Sequence, residues 1–160
     1  MKDLDHLFSL ACEDWDRGLL KEAYSKFKLG AEKGHPSSQN NLGVFYECGY
    51  YVESNYELAI FWYSKAASGD EIASLSNLGD LFLKMGRVED AITWYVKSSS
   101  FDDGDALYEL AKIYLLDGFS GKDEKRAISY LQEALKSNSI TPNSLDNAKH
   151  TLDALISNHK

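Results

Sequence analysis

The sequence predicts an all-α fold, an α-solenoid of four helical hairpins followed by one capping helix. Three observations support this prediction: an alanine recurs four times, a leucine lies nineteen residues after each of the first three alanines, and a small residue follows every leucine of that series. Fixed periods of roughly 20 to 50 residues are typical of stacked supersecondary units. The chain is therefore expected to repeat one helical pair four times.

Two series of residues set the register of the repeat. They are the leucines Leu10, Leu42, Leu78 and Leu110 and the alanines Ala23, Ala59, Ala91 and Ala127. Successive leucines are 32, 36 and 32 residues apart, whereas the step from each alanine to the next leucine stays at 19. The leucine-to-alanine distance inside a unit is 13 or 17 residues. All variation in length therefore falls in the loop inside each hairpin.

Apolar spacing predicts two helices in every unit. In the third unit, Leu75, Leu78, Gly79 and Phe82 lie at i, i+3, i+4 and i+7, which is one face of a helix. In the second unit, the set Ala59, Trp62, Tyr63, Ala66 and Ala67 gives the second helix the same pattern. The predicted units are about 5–35, 37–69, 72–102 and 105–138, all within a single repeat domain that spans residues 1–160.

Glycine and proline mark the predicted helix boundaries. Glycines at 18, 49, 86 and 118 are expected at the turn inside each pair, and Pro36 and Pro142 precede new helices. A last amphipathic helix is predicted at about 143–157, with Asn143 or Ser144 as its N-cap. Because the end of a solenoid exposes an apolar face, this segment is expected to cover it as a terminal cap.

The two loop lengths resemble two related repeat families. The shorter units, with Leu78-Gly79, Phe82, Ala91 and Tyr95, look like tetratricopeptide repeats. The longer units resemble the Sel-one-like repeat through Leu42-Gly43, Tyr46, Gly49, Ala59, Trp62-Tyr63 and Lys65-Ala66-Ala67. The resemblance implies a right-handed α-solenoid. The first unit departs from it, because Asp14 replaces an aromatic residue and Lys26 stands where Trp62 and Trp94 stand in their units.

No residue pattern indicates an enzyme, a cofactor or a metal. The loop from Gly118 to Asp123 is too short for a phosphate loop and has no Ser or Thr after its lysine. Asp102 and Asp103 are interpreted as a helix boundary rather than an acid/base pair. The four histidines, His6, His35, His150 and His159, share no ligand spacing and are expected to be solvated. The two cysteines, Cys12 and Cys48, are expected to be free, buried or half-buried thiols.

Charge and hydropathy restrict the class of partner. The chain has 25 acidic and 17 basic residues, a net charge of −8, which disfavours nucleic acid because phosphate neutralisation needs clustered bases. The N-terminal residues include acids where a signal peptide needs an apolar run, and no stretch is long enough to span a membrane. A cytoplasmic location without membrane contact is therefore expected. An acidic surface is compatible with a basic protein partner.

The resemblance implies that the first helix of each pair lines a concave groove and presents side chains to a partner. The residues predicted to bind that partner are Phe8, Trp15, Asp16, Asn40, Val44, Glu47, Ser76, Asp80, Lys84, Tyr108 and Lys112. For Trp15 an alternative carries equal weight: the ring packs inward in place of the aromatic residue missing at position 14. Trp62 and Trp94 are expected to pack between units rather than to form a ligand platform.

Two functions from different classes remain open. A short, acidic Sel-one-like chain with no appended domain resembles bacterial immunity proteins that sequester a toxin, which predicts a basic toxin domain as partner and one-to-one binding on the order of subnanomolar. The alternative is a scaffold or adaptor that assembles a signalling or envelope complex, for which micromolar binding is expected. Both are noncatalytic.

Overall fold

The computed structural model describes residues 2–69 and 71–157, which form nine α-helices and no strand. The helices are α1 Lys2–Asp16, α2 Leu20–Glu32, α3 Pro36–Cys48, α4 Tyr56–Ala67, α5 Ala73–Lys84, α6 Val88–Ser99, α7 Gly104–Leu115, α8 Glu124–Ala134 and α9 Pro142–Ser157. Across the described ranges the predicted all-α solenoid, with its pairs of helices and one helix after them, is confirmed. The chain divides into two compact units, Met1–Leu81 and Phe82–Lys160.

The first unit packs its helices in chain order. Helix α1 lies against α2, α2 against α3, and α3 against α4. Its aromatic core contains Ala11, Ala23, Phe27 and Phe45, all at most 1% exposed. The repeat residues Leu42 and Ala59 are fully buried as well, so the register read from the sequence coincides with the packed faces.

The second unit is built in the same way around α7 and α8. Helix α6 packs against α7, α7 packs against α8, and α9 lies on both α8 and α7. The core there contains Ala111, Tyr114, Ala127, Leu131 and Ala148, with Leu152 and Leu155 of α9 packed against it. The apolar face of α9 therefore covers the last hairpin.

The helix boundaries follow the predicted residues, with one difference. The turn glycines Gly18, Gly49, Gly86 and Gly118 have φ between 72° and 86°, a left-handed conformation that is unfavourable for residues with a Cβ. Pro36 and Pro142 are the first residues of α3 and α9. The N-cap of α9 is neither Asn143 nor Ser144, however: the Thr141 hydroxyl accepts a hydrogen bond from the Ser144 amide at 3.4 Å.

The first hairpin replaces an aromatic contact by an ion pair. Lys26 of α2 donates to the carboxylate of Asp14 in α1, and the Asp14 side chain is only 12% exposed. In the last hairpin the corresponding residues are Tyr114 and Tyr130, whose rings stack at 5.7 Å. Asp14 and Lys26, the two departures of the first helical pair from the repeat pattern, thus contact each other, and their ion pair takes the place of the contact between two rings.

Candidate functional site

The predicted residues of α1 lie at the edge of the aromatic core. The ring of Trp15 meets Phe45 at 4.7 Å and Tyr50 at 5.4 Å, both edge-on, while Phe8 lies 5.8 Å from Phe27. Trp15 and Phe8 are half-buried, whereas Asp16 is exposed. One side of the Trp15 ring therefore packs inward, as in one of the two alternatives expected, while the rest of this half-buried ring remains partly exposed. Part of its surface lines a cavity of about 180 Å³ together with Cys12, Asp16, Phe27 and Asn41.

Two predicted residues of α3 form hydrogen bonds within the first unit. The Asn40 Oδ1 accepts from Asn77 at 2.9 Å, and the Glu47 carboxylate accepts from the Tyr63 hydroxyl at 2.9 Å. Burial raises the pKa of Tyr63, and the charge of Glu47 and its hydrogen bond raise that pKa further. Tyr63 is thus a neutral donor that fixes the Glu47 side chain. Of the remaining predicted residues in this unit, Val44 and Ser76 are half-buried and Asp80 is exposed.

In the second unit, the predicted residue Lys112 is already bound by other residues of its own helix. Lys112 donates to both carboxylate oxygens of Glu109 at 2.8 Å, and its ammonium lies 5.5 Å from the centre of the Tyr108 ring. Lys84 is exposed and Tyr108 is half-buried. Binding of a partner by Lys112 would therefore compete with a chelating carboxylate on the same helix.

Sequence reasoning missed a set of four tyrosines in the first unit, here called the tyrosine patch: Tyr24 of α2, Tyr46 of α3, and Tyr50 and Tyr51 of the loop at 49–55. The hydroxyls of Tyr24 and Tyr46 are 2.9 Å apart, and the Tyr24 ring lies 5.4 Å from that of Tyr51. Burial raises the pKa of Tyr24, with further contributions from the Tyr46 hydrogen bond and from the charge of Glu32. The signal in the sequence was the adjacent pair of aromatic residues inside a polar loop.

Two residues that were considered for catalysis and rejected, Asp103 and His35, act as helix caps. Asp103 caps α7 by accepting from the Ala106 amide at 3.0 Å, as expected of a helix boundary. The expectation of solvated histidines is wrong for His35, which caps α3 through its Nδ1 and has a side chain only 13% exposed. It approaches Asp5 at 3.2 Å. His159 lies outside the described residues.

The cysteines, the potential metal ligands and the helices of the described residues were compared with what reactive, metal-binding or membrane-spanning segments require. Cys12 is half-buried, as expected, but Cys48 is exposed, and both are free. Burial and the charge of Asp16 raise the pKa of Cys12, which disfavours a reactive thiolate. No group of three or more potential metal ligands occurs among the described residues. In the described part of the chain, no helix combines the length and the apolar character needed to cross a membrane.

Comparison with known families identifies the repeats. The Sel1 repeat matches residues 36–71 and 104–139, and the tetratricopeptide repeat matches the intervening residues 72–103. The chain therefore belongs to the Sel1-like and tetratricopeptide-like repeat proteins, as the sequence resemblance implied. Repeats of this class typically form noncatalytic scaffolds for protein interaction. A comparison with curated proteins finds no match.

Solved structures show the same fold. A Sel1 repeat protein from Oxalobacter formigenes is 24% identical with a TM-score of 0.76; the match covers 93% of this chain and 62% of that one. A protective antigen present in uropathogenic Escherichia coli strains is 25% identical with a TM-score of 0.71, over 83% of this chain and 30% of that one. This chain therefore spans under two thirds of either relative. An immunity protein from Pseudomonas aeruginosa is 18% identical over 96% of this chain and 80% of its own, with a TM-score of 0.42.

Proposed function

We propose that this chain is a noncatalytic protein-binding module for a basic partner, and that this partner is a toxin that it sequesters and neutralises. The observation that carries the proposal is the combination of half-buried aromatic rings with exposed acids on the first helices of the first unit, in a chain of net charge −8. Trp15 and Asp16 are adjacent examples on α1. Aromatic anchors surrounded by charge are typical of protein interfaces.

Aromatic and acidic residues have different roles in the proposed binding: aromatic rings anchor the partner, and exposed acids attract it. Trp15 is held edge-on by Phe45 and Tyr50, so its ring is already ordered before a partner arrives and loses little freedom on binding. The exposed carboxylates of Asp16 and Asp80 attract a basic partner over a distance of roughly a Debye length. Affinity then depends on the anchors and association rate on the acids.

The immunity function adds one claim, that the bound toxin is blocked at its active site or substrate surface. It rests on the resemblance of an acidic Sel1-like chain to bacterial immunity proteins. Such a complex should be one-to-one, with a dissociation constant on the order of subnanomolar, because a lethal partner must be almost completely bound. Under this proposal the chain acts in the cytoplasm, where its partner would otherwise act.

The test uses the full chain as bait in its native cell, followed by purified components. The expected result is a stoichiometric complex with a basic protein, subnanomolar affinity, and growth rescue when both proteins are produced together. A micromolar complex that leaves the partner active would contradict toxin neutralisation and fit the adaptor alternative. A chain that binds no protein under any of these conditions would contradict both.

A further inference from the structure

Two rings of the tyrosine patch are exposed to solvent and pack on one side against other aromatic rings. Tyr50 is 40% exposed and Tyr51 is 52% exposed. Each is nevertheless held on one side, Tyr50 by the rings of Trp15 and Phe45 at 5.4 and 6.1 Å, and Tyr51 by Tyr24. Rings that are exposed yet fixed bind with a small loss of side-chain entropy.

The backbone of Tyr51 is held in an unfavourable conformation. Its φ is 61°, in the left-handed region that non-glycine residues rarely adopt. Gly49, two residues earlier, also has a positive φ, but a glycine adopts this conformation without steric cost. Strained residues with exposed side chains are enriched at functional sites, because folding alone favours glycine at such a position. The ring of Tyr51 is therefore a candidate for a role in binding.

The chemistry around the patch favours a cation. The loop at 49–55 contains two tyrosines and Glu53 but no base, and Asp16 follows directly after the tryptophan that supports Tyr50. Glu32 is close enough to act on Tyr24 electrostatically, although Lys28 lies 4.0 Å from its carboxylate. Aromatic faces attract cations, arginine more often than lysine, because the guanidinium can also stack on the ring.

We infer that the tyrosine patch is a docking surface for an arginine-bearing segment of the protein partner. The guanidinium would lie over the exposed rings of Tyr50 and Tyr51 and pair with Glu53 of the same loop or with Asp16, which follows Trp15 in α1. This inference rests on the proposed function that the chain binds a basic protein. It adds the surface and the side chain that is recognised, and it extends the predicted partner-binding residues from Trp15 into the loop between α3 and α4.

The experiment titrates the full chain with three short peptides that carry two arginines, two lysines or two glutamates in a glycine background, followed by amide NMR. The expected result is saturable binding of the arginine peptide with shifts centred on residues 49–55. Its affinity should be about threefold higher than that of the lysine peptide. Shifts spread evenly over acidic surfaces, or equal binding of the glutamate peptide, would overturn the inference.

Two pairs of variants make the test specific. Tyr51→Gly removes the ring and relieves the unfavourable φ, so the unfolding temperature should be unchanged or higher while the arginine peptide binds about threefold or more weakly. The matched control is Phe61→Ala in α4, a ring 46% exposed in the same unit, which should leave binding unchanged. Glu53→Gln should weaken binding and Glu57→Gln should not. Equal effects within either pair would overturn the inference.

Experiments with the protein partner distinguish a failure of this inference from a failure of the proposed function. A partner complex that forms normally with Tyr51→Gly overturns the docking surface but leaves the proposed function intact. If the arginine peptide requires Tyr51 and the chain nevertheless binds no protein, the surface is supported and the proposed function fails.

Discussion

A single glycine determines how closely the two helices of the second hairpin approach. A Cβ at Gly43 would lie 2.6 Å from ring atoms of Tyr63, well inside van der Waals contact, and Tyr63 is only 1% exposed. The first and last hairpins carry Ala11 and Ala111 at the equivalent position, both fully buried. In the last hairpin Ala111 shares its core with Leu131, the counterpart of Tyr63, whereas in the first hairpin Ala11 shares its core with the ring of Phe27. The close approach at Gly43 is therefore specific to how Tyr63 packs in the second hairpin.

We expect Gly43→Ala to destabilise the protein by about 1 to 3 kcal/mol through overpacking against Tyr63. Urea unfolding followed by circular dichroism measures this change. In a Tyr63→Leu background the same substitution should cost less, because leucine leaves room for the methyl group, as in the last hairpin. An equal cost in both backgrounds would show that Tyr63 is not what restricts position 43.

Substitutions of the two residues in the Asp14–Lys26 ion pair are expected to destabilise the protein by different amounts. Lys26→Met leaves a carboxylate that is only 12% exposed without its partner, whereas Asp14→Asn leaves an ammonium on a side chain 32% exposed, which can reach water. Lys26→Met should therefore destabilise by about 1 to 3 kcal/mol and Asp14→Asn by less. Denaturant midpoints of the two single variants compare them directly. The reverse order would mean that the ammonium is the more costly charge to leave unpaired.

At the scale of elements, the packing of α2, α3 and α4 depends on neutral tyrosines. Tyr63 of α4 donates to Glu47 of α3, and burial raises the pKa of both Tyr63 and Tyr24 above the ordinary value of 10.0. The unfolded chain therefore loses these protons near pH 10, while the folded chain keeps them. The folded state binds more protons, so stability falls as pH rises beyond that value and is fully present below it.

We expect the urea midpoint to be nearly constant from pH 7 to about pH 9 and to fall steeply above about pH 10. Tyr63→Phe removes one of the ionising groups, so its midpoint should fall less steeply, although it starts lower by roughly 0.5 to 1.5 kcal/mol from the lost hydrogen bond. Parallel alkaline titrations of the two proteins test this. Identical slopes would assign the alkaline loss to other groups.

At the scale of the whole molecule, the excess of acids should affect association rate more than residence time. Glu47 is a poor site for testing this, because its carboxylate accepts a hydrogen bond from buried Tyr63 and a substitution would disturb packing. Asp16 and Glu53 are exposed and are better choices. Charges at the rim of an interface mainly steer the encounter of the two proteins.

Reversal of both residues, Asp16→Lys with Glu53→Lys, should slow association with the basic partner about threefold to tenfold at low salt and flatten its salt dependence. Stopped-flow or surface-based kinetics measure both rates. Glu57→Lys, an exposed acid on α4, is the control for a general change in net charge. If Glu57→Lys slows association to the same extent, the effect comes from overall charge rather than from this surface.

The sequence by itself determined the repeat, and with it the helices. The constant step of 19 residues from alanine to leucine, the turn glycines and the prolines gave the pairing and nearly all boundaries, because they report local backbone requirements and one-faced burial. Only the tertiary structure decided what those residues contact. It paired Asp14 with Lys26, turned Trp15 inward, made His35 a helix cap, and assembled the tyrosine patch from three elements. Periodicity identifies the face of a helix that is buried but not its neighbour, since contacts between residues distant in sequence depend on how helices pack.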